Sequence, residues 1–260
     1  MTDAVDIDTL AGDLYQAWRT ATAIPQLSLR TSFDLAAAYR IQARAIDARV
    51  EAGETGTGFK MGFTSKAKMA QMGVAELICG RLTSGMAIAD GGTLDPATVI
   101  HPRIEPEVVF LLGRDLDPEE SVESAVSAVE AVAAGLEIID SRYADFKFSL
   151  ADVVADNASS SGYVVGNWCP PEADLGNRGV VLDRDGVVIE TGSTAAILGD
   201  PWRAFRSAVT LSRKYGVDLV AGDIVLAGAA TAAAPFLPGT TVRATVAGLG
   251  TVSVQQGVAS

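Results

Sequence analysis

Ile104-Glu105-Pro106-Glu107-Val108-Val109-Phe110-Leu111-Leu112 reads as a buried strand that carries two carboxylates. Residues two apart on a strand face the same side, so Glu105 and Glu107 are expected to project together from an otherwise apolar segment. A third acid, Glu137, sits in the apolar run Leu136-Glu137-Ile138-Ile139-Asp140. Carboxylates embedded in apolar sequence repel one another and are costly to desolvate, and a cation between them removes both penalties. Oxygen donors with no histidine or cysteine beside them point to magnesium, manganese or calcium rather than zinc. The alternative is that one glutamate faces solvent while the other pairs with Arg103 or Arg142.

Around this strand the chain alternates short β-like runs with a few helices. The first residues read as two helices, about Ile7 to Thr20 and Ser32 to Ala52, the second opened by Thr31 or Ser32 as N-cap. Gly53, Gly56 and Gly58 break the chain, and Phe59-Lys60-Met61-Gly62-Phe63 reads as a strand before a helix capped by Thr64 or Ser65 and stopped at Gly73. Asp117-Pro118-Glu119-Glu120 has the form of a helix start, which predicts a helix from Pro118 to about Ala134, stopped by Gly135. Asp200-Pro201 predicts another, reaching Lys214 and ended by Gly216. Asp223 to Leu226 and Thr241 to Val254 are strand-rich, with Gly248-Leu249-Gly250 as a turn. Helices are too few to cover both faces of a parallel sheet. The expected fold is therefore α+β, with a mixed, mostly antiparallel core. Residues 1–75 are expected to form an N-terminal helical cap region and 76–260 a β-rich catalytic core.

Composition narrows the function classes. The 260 residues carry 20 Lys and Arg against 32 Asp and Glu, a net charge of -12 with no basic cluster, so nucleic acid and anionic membrane are poor partners. Mean hydropathy is +0.26, yet no apolar run reaches the roughly 18 residues of a membrane span. Part of that apolar surface is expected to be buried between subunits. The acidic start lacks a secretory pattern, and Cys79 and Cys169 stand apart with no Cys-x-x-Cys spacing, so a cytoplasmic protein is expected. His101 is the one histidine, which leaves little room for histidine metal sites or a Ser-His-Asp triad. A positioning or structural role is expected for it.

Four separated motifs occur in order: Gly58-Phe59-Lys60-Met61-Gly62-Phe63-Thr64-Ser65-Lys66-Ala67-Lys68-Met69, Ile100-His101-Pro102-Arg103-Ile104-Glu105-Pro106-Glu107, Glu137-Ile138-Ile139-Asp140-Ser141-Arg142-Tyr143 and Val154-Ala155-Asp156-Asn157-Ala158-Ser159. Together they resemble the 4-oxalocrotonate decarboxylase and 2-oxopent-4-enoate hydratase family of aromatic meta-cleavage pathways, within the fumarylacetoacetate hydrolase superfamily. The likeness covers nearly the whole chain. Lys66 to Val74, Ile100-His101-Pro102, Asp145-Phe146-Lys147-Phe148 and Ser159-Ser160 look more like the decarboxylase branch. Hydratases tend to carry an aspartate in a Pro-Asp-Phe-Gly segment, where this chain has Leu77-Ile78-Cys79-Gly80. One departure is Gly199-Asp200-Pro201 followed by Phe205 to Leu211, where relatives read Gly-His-Pro and Ala-Trp-Leu-Ala-Asn. That helix is expected to make packing or subunit contacts.

The resemblance implies that Glu105, Glu107 and Glu137 hold a divalent metal, magnesium first and manganese second. It implies that Lys60 lies nearby, as a cation steering a substrate carboxylate or as a proton donor. Ser159 and Thr231 are candidate hydroxyl donors, each equally readable as a turn-capping hydroxyl. Arg142 is a candidate second carboxylate anchor or a partner of Asp140 or Asp145. The implied reaction is metal-dependent decarboxylation of 2-oxohex-3-enedioate, a 2-oxo acid, to 2-hydroxypenta-2,4-dienoate. The implied assembly is a homo-oligomer, with a complex with a paralogous hydratase. Hydration of the dienoate, C–C hydrolysis of an acylpyruvate and a non-catalytic scaffold are the competing readings. A scaffold would not need three ligating carboxylates.

Overall fold

The computed structural model describes residues 5–65 and 76–258. In chain order the elements are α1 (Ile7–Arg19), α2 (Leu35–Glu51), β1 (Gly56–Gly62), β2 (Ile78–Thr83), β3 (Ala87–Ile88), β4 (Thr93–Leu94), β5 (Arg103–Leu112), α3 (Val122–Ala125), β6 (Val129–Ile139), α4 (Leu150–Ala155), β7 (Ser160–Val165), β8 (Gly179–Arg184), β9 (Val187–Ser193), α5 (Pro201–Lys214), β10 (Ile224–Ala229), β11 (Ala234–Pro235), β12 (Thr241–Val246) and β13 (Gly250–Gln256). The expected helix after Thr64 or Ser65 lies outside the described residues.

Two sheets make the core. The larger runs β2-β1-β10-β5-β6-β7-β3, with β11 pairing β5 beside it, and the smaller runs β4-β13-β12-β8-β9. Most neighbours are antiparallel; the β1–β10, β3–β7 and β4–β13 pairs are parallel. The mixed, mostly antiparallel α+β architecture expected from the sequence is what the chain adopts. Strand β1 precedes residue 76, yet it lies inside the larger sheet between β2 and β10.

The central hairpin is β5 with β6, whose residues run nearly unbroken from apolar to apolar because the sheet is covered on both faces. Here one sequence expectation is overturned. Val129 to Ala134 are strand, not the end of a helix begun at Pro118. Asp117 to Glu120 form a turn in which Glu120 is taken by Arg114 at 2.9 and 3.0 Å. The helix α3 starts later, with Ser121 as N-cap, and lasts four residues. Pairing along the full length of β5 outweighs the modest helix preference of the alanines. Gly135, read as a stop, is a strand residue whose missing side chain makes room for Val109; a Cβ there would lie 2.4 Å from Val109 Cγ2.

The N-terminal helices pack on each other, and α2 packs against α4 and β2. Their caps are Asp6 and Asp34, the latter in place of the expected Thr31 or Ser32, because Asp34 accepts from the Ala37 amide at 2.8 Å. Buried Gln42 of α2 donates to the carbonyls of Cys79 and Val154 at 3.0 and 2.8 Å, which ties the helix to β2 and α4. Helix α5 starts at Asp200 and Pro201, as the sequence predicts, and lays Phe205, Ala208 and Val209 onto the larger sheet. Phe205 meets Phe110 at 5.1 Å, so its replacement by alanine would cost about 3–5 kcal/mol. This altered segment therefore packs within its own chain. Among the described residues no helix is long and apolar enough to cross a membrane.

Candidate metal centre and substrate cavity

The register of the central hairpin sets Glu105 opposite Glu137 and Glu107 opposite Gly135. Alternation then places all three carboxylates together, and an oxygen from each lies within 4.8 Å of the others. All three are buried, with relative exposures of 4%, 0% and 0% for Glu105, Glu107 and Glu137. The reading in which one glutamate faces solvent and the other pairs with Arg103 or Arg142 does not apply.

Among the described residues, donors to Glu107 and Glu137 are few. The Gly228 amide donates to Glu107 Oε2 at 2.6 Å, and Lys60 Nζ stands 3.1 Å from Glu137 Oε2. Glu107 Oε1 and Glu137 Oε1 are buried with no hydrogen-bond partner among the described residues. Burial pushes the Glu107 carboxyl well above the usual range, and the charges on Glu137 and Glu105 push it further. Glu137 is also raised, mainly by burial, against the pull of Lys60. Buried oxygens without donors, held close by a rigid hairpin, fit a hard divalent cation with oxygen ligands. A zinc site would call for nitrogen or sulfur.

The centre opens on a cavity of about 690 Å³, within the usual range of small-molecule sites. Lys60, Glu105, Ser159 and Thr231 all line it. Lys60 comes from β1 and is only 3% exposed, with its ammonium also donating to the Ala158 carbonyl at 3.0 Å. Gly80 makes this possible: a Cβ there would lie 2.7 Å from the Asn157 carbonyl and 3.1 Å from Lys60 Cδ. Gly228 has the same use, since its φ of +104° suits glycine and a Cβ would collide with Thr64 Oγ1. Ser159 Oγ lies 3.5 Å from Asp156, and Thr231 Oγ1 donates to the Ala232 carbonyl at 2.9 Å.

Arg142 is the one sequence candidate that lies elsewhere. It borders a separate, water-sized hollow and does not line the large cavity. Its partner is Asp156 rather than Asp140 or Asp145, and its remaining donors go to the carbonyls of Asp140, Asp156 and Ser160. All three guanidinium nitrogens are thus engaged by protein, away from the large cavity. The loop it holds is unusual: Asn157, Ala158 and Ser159 all have positive φ, at 52°, 51° and 59°. Non-glycine residues in this region carry strain of about 1–2 kcal/mol each, and such strain collects at functional sites.

Sequence reasoning passed over Ile78, Arg103, Phe146 and Phe148, which line the cavity too. Phe146 and Phe148 belong to the Asp145-Phe146-Lys147-Phe148 motif, but nothing in their spacing marks them as wall residues. His101 has a structural place. Its Nε2 bonds the Ser141 carbonyl at 2.8 Å, and its ring lies 5.0 Å from that of Phe146. Burial pushes the Cys79 thiol up to about 11, which makes it inert.

The model of the fumarylacetoacetate hydrolase C-terminal family matches residues 62–255. A 4-oxalocrotonate decarboxylase of a Pseudomonas species is 51% identical over 95% of this chain and 96% of its own length. A 2-keto-4-pentenoate hydratase of Paraburkholderia xenovorans is 36% identical, covering 94% and 93%. Among solved structures, 4-oxalocrotonate decarboxylase from Pseudomonas putida G7, complexed with magnesium and adipate, superposes with a TM-score of 0.90 at 35% identity, over 96% of this chain and 97% of that one. Decarboxylases and hydratases are both lyases, and the chain is an enzyme of that class. By family model, relatives and fold, it belongs to the fumarylacetoacetate hydrolase family.

Proposed function

We propose that this protein decarboxylates 2-oxohex-3-enedioate to 2-hydroxypenta-2,4-dienoate with a magnesium ion held by Glu105, Glu107 and Glu137. The observation that carries the reading is the buried triad of carboxylates, with orphaned oxygens, at the wall of a cavity that also receives Lys60. A bound divalent ion supplies Lewis-acid stabilisation of charge at the 2-oxo oxygen, an effect worth several kcal/mol. In the substrate the C5–C6 bond breaks and CO2 leaves. Its electron pair becomes the C4–C5 double bond, the C3–C4 pair moves to C2–C3, and the oxo oxygen takes the charge and then a proton.

The chain's own residues bind, orient and exclude water. Lys60 is a buried cation beside the triad, placed to attract the C1 carboxylate and to hold a proton near the oxo oxygen. Ser159 and Thr231 offer hydroxyls from the cavity wall. Ile78, 2% exposed, lines the cavity in the segment where hydratases tend to carry an aspartate. An apolar side chain there neither activates water nor repels a doubly charged substrate. That favours CO2 loss over hydration, as does the higher identity to the decarboxylase than to the hydratase.

The test gives purified protein and magnesium 2-oxohex-3-enedioate in one cuvette and 2-hydroxypenta-2,4-dienoate in another, following both ultraviolet spectra with a chelator control. Loss of the dioate with CO2 release, blocked by the chelator, is expected. Loss of the dienoate alone would make the protein a hydratase and overturn the proposal.

A further inference from the structure

Two cations line the cavity among the described residues, and they are differently engaged. Lys60 is buried and committed to Glu137 and the Ala158 carbonyl. Arg103 is exposed, and its one described interaction is with an aromatic face: Cζ lies 5.2 Å from the centre of the Phe146 ring. The cavity's carboxylates are directed elsewhere. Asp145 is 3.4 Å from Lys147 Nζ, and Glu105 turns to the triad.

The position of Arg103 follows from the strand that builds the metal centre. Arg103, Glu105 and Glu107 alternate on β5 and share one face. Two residues along a strand span about 6.6 Å, close to the length of an extended six-carbon chain. A six-carbon dicarboxylate that has one end at the triad and runs along this face is of a length to meet Arg103.

Phe146 is fixed for this contact. Asp145 and Phe146 both hold positive φ, 58° and 56°, in a turn that strain alone would relax. His101 packs on the Phe146 ring at 5.0 Å and Phe148 at 6.0 Å. His101 and Arg103, separated by one proline, thus grip the same ring.

We propose that Arg103, steadied on Phe146, binds the distal carboxylate of the substrate and selects dicarboxylates over monocarboxylates. The inference rests on the proposed 2-oxo-dioate substrate. The distal carboxylate is the one that leaves as neutral CO2, so a cation that gripped it tightly in a dry pocket would stabilise the ground state against the reaction. An exposed guanidinium shared with an aromatic ring gives binding with less of that penalty. Its loss accordingly appears in KM and spares kcat.

Calorimetric titration of the magnesium-loaded protein with adipate and with hexanoate tests this without turnover. Arg103→Gln is expected to weaken adipate by about tenfold and hexanoate by less than about twofold, with Arg103→Lys between. Phe146→Leu is expected to weaken adipate severalfold while leaving hexanoate alone. With the dioate as substrate, Arg103→Gln is expected to raise KM about tenfold at nearly constant kcat. Equal weakening of both acids, or none, would overturn the anchor, as would a fall in kcat at unchanged KM. Charge-dependent adipate binding in a protein that does not turn over the dioate would keep the anchor and reject the decarboxylase reading. The opposite pattern would do the reverse.

Discussion

Two groups of buried carboxylates lie a few residues apart in space and are treated in opposite ways. Asp152 and Asp156 are saturated. Asp152 accepts from the amides and hydroxyls of Ser28 and Ser149, and Asp156 from Arg142, Ser141 and Ser159. In the triad, Glu107 and Glu137 share one described ion pair with Lys60 and one bond from the Gly228 amide, and an oxygen of each has no described partner. Burying a carboxylate costs several kcal/mol unless donors replace water. A fold that meets this requirement in one place and leaves it unmet in another separates a group that serves structure from one that fits the proposed metal.

The sharpest way to break the comparison is Glu107→Gln. If the triad is a metal centre, kcat/KM falls by about a thousandfold or more, the equivalent of losing several kcal/mol of Lewis-acid stabilisation. Without metal the same variant is expected to melt at higher temperature than the wild type, because a neutral amide replaces a buried carboxyl whose ionisation burial and the neighbouring glutamates oppose. Magnesium at a hundredfold excess over its dissociation constant should stabilise the wild type by about 2.7 kcal/mol and the variant by far less. Equal melting responses to magnesium would remove the triad from the site.

On the saturated side, Arg142→Met should cost about 3–5 kcal/mol of stability, since it strands a buried carboxylate. Its pH dependence has a definite sign. Burial already pushes the Asp156 carboxyl up to about 6 against the pull of Arg142. With a folded value above the unfolded one, Asp156 contributes stability at low pH that is lost as pH rises to about 6. Removing Arg142 raises the folded value further, so the variant goes on losing stability above pH 6, where the wild type has levelled off. Urea melts at pH 5 and pH 8 measure it; a gap that shrinks with rising pH would refute the pairing.

Gly228→Ala probes the backbone donor that reaches Glu107. The new Cβ meets Thr64 and the positive φ is unfavourable, so a loss of about 2 kcal/mol is expected, together with weaker magnesium binding as the amide turns from Glu107. Thermal melts with and without magnesium separate the two parts. Loss of stability with unchanged metal affinity would show that the Gly228 bond does not shape the centre.

The contrast between the two groups also marks what was legible in the sequence. The strand Arg103–Leu112 and its two glutamates could be read because acids at period two in an apolar run are too costly to bury without a ligand to meet them. The partner strand could not, since Val129 to Ala134 follow a proline-and-acid turn and suit a helix equally well until β5 lies alongside. Arg142 and Asp156 are fourteen residues apart and meet only through a loop of three left-handed residues, which no propensity foretells. Arg103 was legible only as a partner for glutamates. Its place against Phe146 depends on another strained turn.

The left-handed loop joins the two regions, and Ala158→Gly tests what it does at the smallest cost in stability. On one side Asp156 is fixed by Arg142, and Asn157 clamps the Arg81 backbone with bonds of 2.8 and 2.9 Å. On the other, the Ala158 carbonyl holds Lys60. Glycine relieves about 1 kcal/mol of left-handed strain and loses about as much to the greater freedom of the unfolded chain, so stability should move by less than about 1 kcal/mol. If the saturated carboxylates exist to press this loop against Lys60, the freer backbone lets the ammonium wander, and kcat falls severalfold at unchanged melting temperature and unchanged magnesium affinity. Full activity in the glycine variant would mean that Lys60 is held by Glu137 alone. The two groups of acids would then be neighbours without a mechanical link.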